Sequence, residues 1–420
     1  MPKGISLARQ MERQLPAELV NFMWVAGEIV HTRGERLYLV GGVVRDLLLE
    51  QANFDLDLVV EGNAIELAQQ LRKINRGKIT THPRFNTAKL QFDNWSIDLA
   101  TARSETYAKP GALPTVTPSS IDDDLSRRDF TINAMAIHLN PGYYGRLVDP
   151  HGGRNDLENK RIRVLHEKSF TDDATRIWRG LRYEQWLDFH LERKTLTLLQ
   201  RDIPMLDTIS ADRIRYEIEC ILREKYPEKV FRHAQELGVL ATLHPALKGN
   251  NWLAEKFDQA RRLCSPELPE FDLYLALLAY PLTAGETERL ISRLRLPKSS
   301  AQTLKDSVAV KGKMRSLATP GVSPSFIYNL LHSFSSPAMV ANSLATESPV
   351  ASQNIRLFLN RLRYIQVSLT GEDLIRMGIA PGPQIGEILD LLHKARLNGK
   401  ITTRHDEEEV VKGWLAAKQG

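Results

Sequence analysis

A pair of glycines, Gly41-Gly42, separates two segments of different periodicity and constrains the fold more than any other feature of this sequence. Residues 36–41 read as a short buried strand, and residues 43–50 read as a helix that begins directly after the glycines. A helix that starts at a glycine turn points free backbone N–H groups outward, and such groups bind phosphate. A Gly-Gly turn alone indicates only a tight bend, so its meaning depends on the residues around it.

Two carboxylates follow the turn at strand spacing. Asp55 and Asp57 border the β-type run 58–60, and the period of two predicts that both side chains lie on one face. Neighbouring carboxylates repel each other unless a cation binds them, and magnesium prefers a few carboxylates plus substrate phosphate oxygens. An Asp-X-Asp pair is more often a solvated strand edge or loop. Combined with the glycine turn and with Arg45 in one strand–turn–helix–strand unit, it predicts a Mg²⁺ and triphosphate site with Asp55 and Asp57 as metal ligands.

The motif formed by Gly41-Gly42-X-X-Arg45-Asp46 and Asp55-X-Asp57 resembles the first motif of the class II tRNA nucleotidyltransferases. This family comprises CCA-adding, CC-adding, A-adding and bacterial poly(A) polymerase enzymes. Further similar motifs follow in the family's order, at residues 127–136, 149–157, 172–182, 370–375 and 381–386. The resemblance therefore runs from about residue 36 to about residue 415.

The resemblance implies an α+β protein: an N-terminal nucleotidyltransferase (polymerase β-like) α/β head followed by an elongated all-helical neck, body and tail. The residue pattern agrees, because strand signals at 38–40, 56–60, 88–92 and 96–100 fade after about Asp172 and helical periodicity follows. We expect these divisions: an N-terminal packing helix at 1–35, the catalytic head at 36–145, the neck at 146–220, the body at 221–330 and a tRNA-binding tail at 331–420.

The implied reaction is template-independent transfer of CMP, AMP or both from CTP or ATP to the 3′ end of tRNA. A 3′-hydroxyl attacks the α-phosphorus, pyrophosphate leaves, and two Mg²⁺ ions serve the attacking and leaving oxygens. Asp55 and Asp57 are the expected catalytic ligands. Asp98 is the third catalytic carboxylate if it lies on a neighbouring strand; otherwise it is an ordinary solvent-facing residue.

The resemblance assigns phosphate binding to Gly42, Arg45 and Arg128, with Arg127 as a weaker assistant. Without the family, Arg127 and Arg128 would read as a solvated helix start.

Base selection is assigned to Asp173 and Arg176, whose three-residue spacing predicts one side of a helix. Cytosine and adenine both present an acceptor beside an amino donor, so one arginine and one aspartate match either base. Arg179 and Arg182 continue the row and are expected at the triphosphate or base, although an isolated row of this kind would be an ordinary basic face.

The subtype stays open at this stage. The nucleotide-selecting motif opens Asp172-Asp173-Ala174 instead of the usual Glu-Asp-Pro, and the loop at 102–120 looks complete. A poly(A) polymerase and a catalytically silent RNA-binding relative are the alternatives. The intact pair Asp55 and Asp57 argues against the silent relative.

The expected macromolecular partner is tRNA, held through its acceptor stem by phosphate contacts. The most specific expectation concerns Gly382 and Pro383, which precede a helix at 384–397, because a helix start can hold a phosphate. His405-Asp406 lies in an acidic run and reads as surface. Other basic residues expected on the helical arm are Arg213, Arg215, Arg261, Arg262, Lys311, Lys313, Arg315, Arg361 and Arg363.

Composition is compatible with these expectations. The net charge is +5 and the pI about 9.0, which suits a polyanionic partner. Two cysteines are too few for a disulfide framework, and no apolar run approaches the ~20 residues of a membrane span. The start lacks the apolar core of a signal peptide, so we expect a cytoplasmic protein without a membrane partner.

Overall fold

The computed structural model describes the chain except for residues 1–4, 76, 107, 110, 113 and 420. The first four residues of the expected packing segment, residue 76, three residues of the 102–120 loop and the last residue therefore lie outside the described residues. The chain divides into two compact units, residues 1–218 and residues 219–420.

The first unit is built on a mixed sheet, as the sequence predicted for the head. In the described residues seven strands form this sheet in the order β3-β4-β5-β2-β1-β8-β9. Only β2 and β5 pair in parallel within it. The strands of the unit are β1 Arg36–Val40, β2 Leu56–Glu61, β3 Lys78–His82, β4 Thr87–Phe92, β5 Trp95–Thr101, β6 Arg103–Thr106, β7 Thr115–Pro118, β8 Ala136–His138, β9 Leu147–Val148, β10 Arg161–Ile162 and β11 His190–Leu191.

Helices cover the sheet and continue beyond it. The predicted packing helix is α2, which buries Leu19, Phe22 and Met23 and packs against β1. The helices of this unit are α1 Ala8–Gln14, α2 Ala17–Thr32, α3 Gly42–Leu48, α4 Ala64–Asn75, α5 Ile121–Ser126, α6 Gly153–Glu158, α7 Ser169–Asp172, α8 Thr175–Leu187, α9 Arg193–Asp202 and α10 Ala211–Leu222, the last of which crosses the boundary between the units.

The central strands of the sheet are buried on both faces, so apolar packing from two sides fixes their position. On β1, Leu37 and Leu39 are fully buried, while Tyr38 and Val40 join a second apolar cluster with Val59 on the opposite face. Strands buried on both faces read as continuous apolar runs, which is why 36–41 was recognisable from the sequence.

One expected boundary and the expected all-helical character of the neck need correction. The head sheet extends past residue 145, because β9 pairs with β8 through Leu147 opposite Ile137. The neck also contains a small parallel pair, β10 with β11, so it is not entirely helical. Strands of two residues carry too little periodicity to be detected in a sequence.

In the described residues the second unit is helical, as predicted. One apolar cluster joins Val310, Ile327 and Ile355 to Leu397, and a second joins Leu369 to Val411. The expected division at 330/331 falls inside a helix, and the first cluster spans it. The helices are α11 Pro227–Glu236, α12 Asn251–Cys264, α13 Phe271–Ala279, α14 Ala284–Leu294, α15 Lys298–Gly312, α16 Met314–Leu317, α17 Pro324–Leu331, α18 Ser336–Ala345, α19 Pro349–Asn360, α20 Gly371–Arg376, α21 Pro383–Leu397 and α22 Arg404–Gln419.

No helix in the described part of the chain combines the length and the apolar character that crossing a bilayer requires.

Candidate active site

An open cleft of about 900 Å³ lies within the unit 1–218, where the turn after β1 and the start of β2 face α8 and α10. It brings together nine of the predicted site residues: Gly42, Arg45, Asp55, Asp57, Arg128, Asp173, Arg176, Arg179 and Arg182. Asp98 does not line the cleft, and Gly382 and Pro383 belong to the other unit.

The glycine turn is shaped by Gly41 more than by Gly42. Gly41 has φ +77°, a left-handed conformation that favours glycine, and α3 begins at the next residue. A Cβ atom on Gly41 would lie 3.1 Å from Nη1 of Arg128 and 3.4 Å from Oδ2 of Asp57. The bare Cα therefore allows an arginine and a carboxylate to approach the turn.

Strand pairing brings Asp57 and Asp98 to the same level of the sheet. Asp57 lies on β2 directly opposite Asp98 on β5, and Asp55 immediately precedes β2. The prediction that Asp98 lies on a neighbouring strand is confirmed. In this structure its carboxylate pairs with Lys89, whose Nζ lies 3.2 Å from Oδ2.

Desolvation, and to a smaller extent repulsion between carboxylates, changes the pKa of Asp57. Although solvent reaches Asp57 through the open cleft, desolvation raises its pKa to about 6; Arg128 opposes the shift, and Asp98 and Asp55 add to it. A proton is thus held more tightly here than on an ordinary aspartate, and a cation would relieve the same repulsion.

The donor set fits the Mg²⁺ that the family resemblance implies. Carboxylate oxygens are the ligands that Mg²⁺ prefers, and it commonly takes one or two carboxylates with the rest from water and substrate phosphate. Within the described residues no group of three or more His, Cys, Asp and Glu side chains is arranged to hold a metal ion. Asp55 and Asp57 would therefore hold the ion together with the substrate.

Arg128 faces the turn and the carboxylates. Its Nη2 donates to Oδ2 of the buried Asp124 at 3.0 Å, while its Nε is buried and has no hydrogen-bond partner among the described residues. Arg127 donates to Asp124 and to Glu105, so it braces the wall of the cleft. The sequence ranking of Arg128 above Arg127 agrees with this placement.

Arg45 is a buried part of the cleft wall. Its Nε and Nη2 donate to the two oxygens of Asp46, at 2.7 and 2.9 Å, and its Nη1 donates to Asn133 at 2.8 Å. The guanidinium also lies 4.8 Å from the ring centroid of Trp186. Three of its five N–H groups are engaged, so any contact with a triphosphate would use the remaining two.

The prediction that Asp173 and Arg176 share a helix was wrong. α7 ends at Asp172, Asp173 is extended (φ −145°, ψ 97°), and α8 begins at Thr175. The carboxylate of Asp173 explains the break, because its Oδ1 accepts hydrogen bonds from N and Oγ1 of Thr175, an alternative to continued helix.

Both residues nevertheless line the cleft, and both have partners. Oδ2 of Asp173 accepts from Nη2 of Arg213 at 2.6 Å. Arg176 is buried and donates to Ser169 and to the backbone oxygen of Arg127. Arg213, which the sequence placed on the tRNA-binding arm, is therefore a cleft residue beside Asp173.

Arg179 belongs to a second buried pair. Its Nε and Nη2 donate to Oδ2 of Asp129 at 2.9 and 2.6 Å, and its Nη1 lies 3.7 Å from Glu217. Burial alone would raise the pKa of Asp129, but Arg179 holds it at about 2. Burial raises the pKa of Glu217 against the opposing charges of Arg179 and Arg182.

Trp186, Tyr216 and Glu217 are among the cleft residues that sequence reasoning missed. Trp186 continues the row of Arg179 and Arg182 along α8, a spacing that could have identified it. Tyr216 and Glu217 lie on α10, whose sequence resembles any amphipathic helix, and no local signal marks them.

The structure also sorts the basic residues proposed for the helical arm. Arg261 forms a partly buried bidentate pair with Glu228, and Lys311 donates to the backbone oxygen of Tyr280. Both therefore serve the packing of the second unit. Gly382 precedes α21 with φ +147° and is exposed together with Pro383, which begins the helix as predicted.

The acidic tail is only partly surface. His405 is exposed, and Asp406 accepts hydrogen bonds from the backbone N–H groups of Thr402 and Thr403. Glu407, which follows them, is fully buried and pairs with Arg396.

Comparison with known proteins gives the same family. Residues 37–163 match the family described as "Poly A polymerase head domain", and residues 188–250 match "Probable RNA and SrmB- binding site of polymerase A".

Two relatives are named A-adding tRNA nucleotidyltransferase. The one from Geobacter sulfurreducens is 34% identical over 95% of this chain, which spans 47% of that protein. The one from Halalkalibacterium halodurans is 32% identical over 97% of this chain and 96% of that protein. A solved structure, the Thermotoga maritima CCA-adding enzyme complexed with tRNA, is 31% identical, has a TM-score of 0.78, and covers 99% of this chain and all of that one. The chain belongs to the class II tRNA nucleotidyltransferase family.

Proposed function

We propose that this protein transfers AMP, CMP or both from ATP or CTP to the 3′ end of tRNA without a template, releasing pyrophosphate. The observation that carries the proposal is the placement of Asp57 beside Gly41 and Arg128, in a chain of this family. Carboxylates for a cation and an arginine for phosphate are thereby next to the turn where α3 begins.

Each group at this end of the cleft has a task in nucleotidyl transfer. When bound by Asp55 and Asp57, Mg²⁺ would lower the pKa of the attacking 3′-hydroxyl and neutralise the triphosphate. The guanidinium of Arg128, held on Asp124, is positioned for phosphate oxygens, because its Nη1 faces the glycine turn in the cleft. Gly41 leaves the backbone bare, so a phosphate can approach the start of α3.

Asp173 and Arg176 retain the capacity to read a base. Three of the four lone-pair positions on Asp173 are used by Thr175 and Arg213, which leaves one acceptor for an amino group. Arg176 uses three of its five N–H groups. One free acceptor and free donors suit adenine and cytosine, whose pairing edges carry an amino donor beside a ring-nitrogen acceptor, whereas guanine and uracil would leave buried groups unpaired.

The relatives support AMP and CMP to different degrees. The two A-adding relatives favour AMP, and the CCA-adding structure favours addition of both nucleotides. We propose the cytoplasm as the compartment, because the proposed substrate is tRNA.

Nucleotide incorporation into defined RNA ends tests the proposal. Purified protein is incubated with Mg²⁺ and radiolabelled ATP or CTP, using tRNA transcripts that lack CCA, end in one C or end in CC. We expect labelled tRNA, with ATP used on the CC end. Long tails on an unstructured RNA would instead identify a poly(A) polymerase, and the absence of incorporation with every RNA would refute the proposal.

Alanine at Asp55 and at Asp57 tests the metal assignment. Each change should abolish incorporation while tRNA affinity, measured by filter binding, stays within a few-fold. Asp390→Asn, on the exposed face of α21, is the control for loss of a carboxylate. Activity in both alanine variants would show that the metal lies elsewhere.

A further inference from the structure

Trp186 is a large apolar side chain at the edge of a charged cleft. It lies near the end of α8, lines the cleft, and is 43% exposed. Its indole ring covers the guanidinium of Arg45 at 4.8 Å, and Arg45 is neutralised by Asp46. Because Trp186 lines the cleft and keeps this exposed surface, its ring is available to a ligand that enters the cleft.

The exposed fraction rises along the cleft-facing side of α8. Arg176 is 6% exposed, the side chain of Arg179 is 31% exposed, and Trp186 is 43% exposed. Ten residues of helix separate Arg176 from Trp186, which is roughly 15 Å at 1.5 Å per residue. The base-selecting residues therefore lie at the closed end of this row, and Trp186 lies at its open end.

We expect the acceptor RNA and the incoming nucleotide to occupy different ends of this row. The base of the incoming nucleotide is read at Asp173 and Arg176, some three turns of helix away from Trp186. The RNA must enter from solvent and bring its 3′-hydroxyl to the carboxylates, so its last unpaired bases pass the open end. Arg45, beneath the ring of Trp186, follows the glycine turn by only three residues, which places the ring at the carboxylate side of the cleft.

We propose that Trp186 is a stacking surface for an unpaired base at the 3′ end of the acceptor RNA. The inference rests on the proposed function, because it assumes that RNA enters this cleft. Every base has a π-face, and an aromatic ring binds single-stranded RNA by stacking without reading its sequence. Trp186 thus positions the acceptor, while base selection stays with Asp173 and Arg176.

Tryptophan fluorescence tests the contact without requiring catalysis. The full-length protein is titrated with an RNA hairpin that carries an unpaired 3′ CC end, in the absence of nucleotide. We expect quenching that disappears in Trp186→Phe. Trp24 supplies a matched control, since it is 45% exposed on α2, packs on Tyr144 and does not line the cleft. Trp24→Phe should keep the quenching.

Kinetics provide the second measurement. Stacking contributes roughly 1–3 kcal/mol per base, so Trp186→Ala should raise KM for the RNA about 10-fold, a factor that corresponds to about 1.4 kcal/mol. KM for the nucleotide should change less than twofold, and Trp186→Phe should recover most of the loss because a smaller ring still stacks.

The outcomes separate this inference from the proposed function. Incorporation by the unaltered protein tests the function, whereas quenching by RNA tests Trp186. An active enzyme whose fluorescence is insensitive to the hairpin would refute the stacking role alone. Equal quenching by ATP or CTP without RNA would place the incoming base there instead and would also refute it. If Trp186→Ala lowers kcat and leaves both KM values unchanged, Trp186 only packs on Arg45 and the stacking role is refuted.

Discussion

The two ends of the cleft treat their carboxylates in opposite ways. At the wall formed by α8 and α10, Asp129 and Asp173 are each held by an arginine, and the pKa of Asp129 is about 2. At the start of β2, the pKa of Asp57 is instead raised to about 6, by desolvation and by Asp98 and Asp55. At the first end Asp129 and Asp173 are paired without a ligand, whereas at the other end Asp57 carries charge that a cation would compensate.

The difference separates recognition from reaction. A base is selected by donors and acceptors fixed before it arrives, and internal ion pairs provide that rigidity. A cation has to be released and rebound, so its ligands stay unpaired and repel one another. Under the proposed function, the end with the strained carboxylate would hold the metal and the end with the paired carboxylates would read the base.

The largest expected effect comes from removing the strained charge. Asp57→Asn should reduce incorporation by at least about 10³-fold, because the carboxylate that holds the metal is lost. The same change should leave the thermal unfolding temperature unchanged or raise it when EDTA is present, since it removes repulsion from Asp55 and Asp98. Incorporation assays and thermal unfolding measure the two effects.

Magnesium sharpens this prediction. Mg²⁺ should raise the unfolding temperature of the unaltered protein and of Asp390→Asn, because a ligand that binds only the folded state stabilises it. Asp57→Asn should not respond. A large drop in the unfolding temperature of Asp57→Asn in EDTA would contradict the view that the ionised Asp57 carboxylate destabilises the folded protein.

Removing a satisfied charge should have the opposite signature. Asp129→Asn leaves the partly buried Arg179 without its main partner. Breaking a buried ion pair lowers the unfolding free energy by about 3 kcal/mol, and the loss should be somewhat smaller here because Arg179 retains some exposure. Chemical denaturation should show this loss, together with reduced activity. An unfolding free energy equal to that of the unaltered protein would mean that the pair is not a structural support.

Local patterns predicted the strands around Asp57 well. Strands β1, β2 and β5 and the glycine turn could be recognised because apolar runs and a period of two appear within short windows. The expectation that Asp98 lies on a strand next to Asp57 came instead from the family resemblance. The ion pair of Asp98 with Lys89 could not be predicted, because a side chain's partner across a strand depends on register.

The base end could not be predicted in the same detail. The contact between Asp173 and Arg213 spans 40 residues, and that between Arg179 and Asp129 spans 50. No periodicity encodes such contacts, since they arise when separate elements pack. The helix expected through Asp173 failed for a local reason, because its own carboxylate accepts from Thr175 and ends the preceding helix.

A smaller effect is expected when the partner of Asp173 is removed. Arg213→Met should leave Oδ2 of Asp173 without its donor at 2.6 Å and let the carboxylate turn. We expect roughly a 10-fold loss of discrimination against GTP and UTP, corresponding to one weakened hydrogen bond of ~1–1.5 kcal/mol. Incorporation of each nucleotide triphosphate into the same tRNA measures it.

Its control is Arg13→Met, which removes an exposed arginine paired with Glu50 outside the cleft. Discrimination in the control should be unchanged. If Arg213→Met lowers the rate with all nucleotides equally, Arg213 supports the fold of α10 and not base selection.

The smallest effect is a difference in pH dependence between the two ends. Asp129 has a folded-state pKa of about 2, below its unfolded value of ~3.9, so its contribution is present above pH 4 and is lost as the pH falls toward 2. Between pH 5 and pH 3 this loss amounts to about 1 kcal/mol, and Asp129→Asn should abolish it.

Asp57 has a folded-state pKa of about 6, above its unfolded value, so its ionisation makes the folded state less stable as the pH rises from 4 to 6. Denaturant titrations in EDTA should therefore show opposite changes in pH slope for the two asparagine variants. Equal slopes would remove the electrostatic contrast between the ends of the cleft, because a satisfied and a strained carboxylate cannot respond to protons with the same sign.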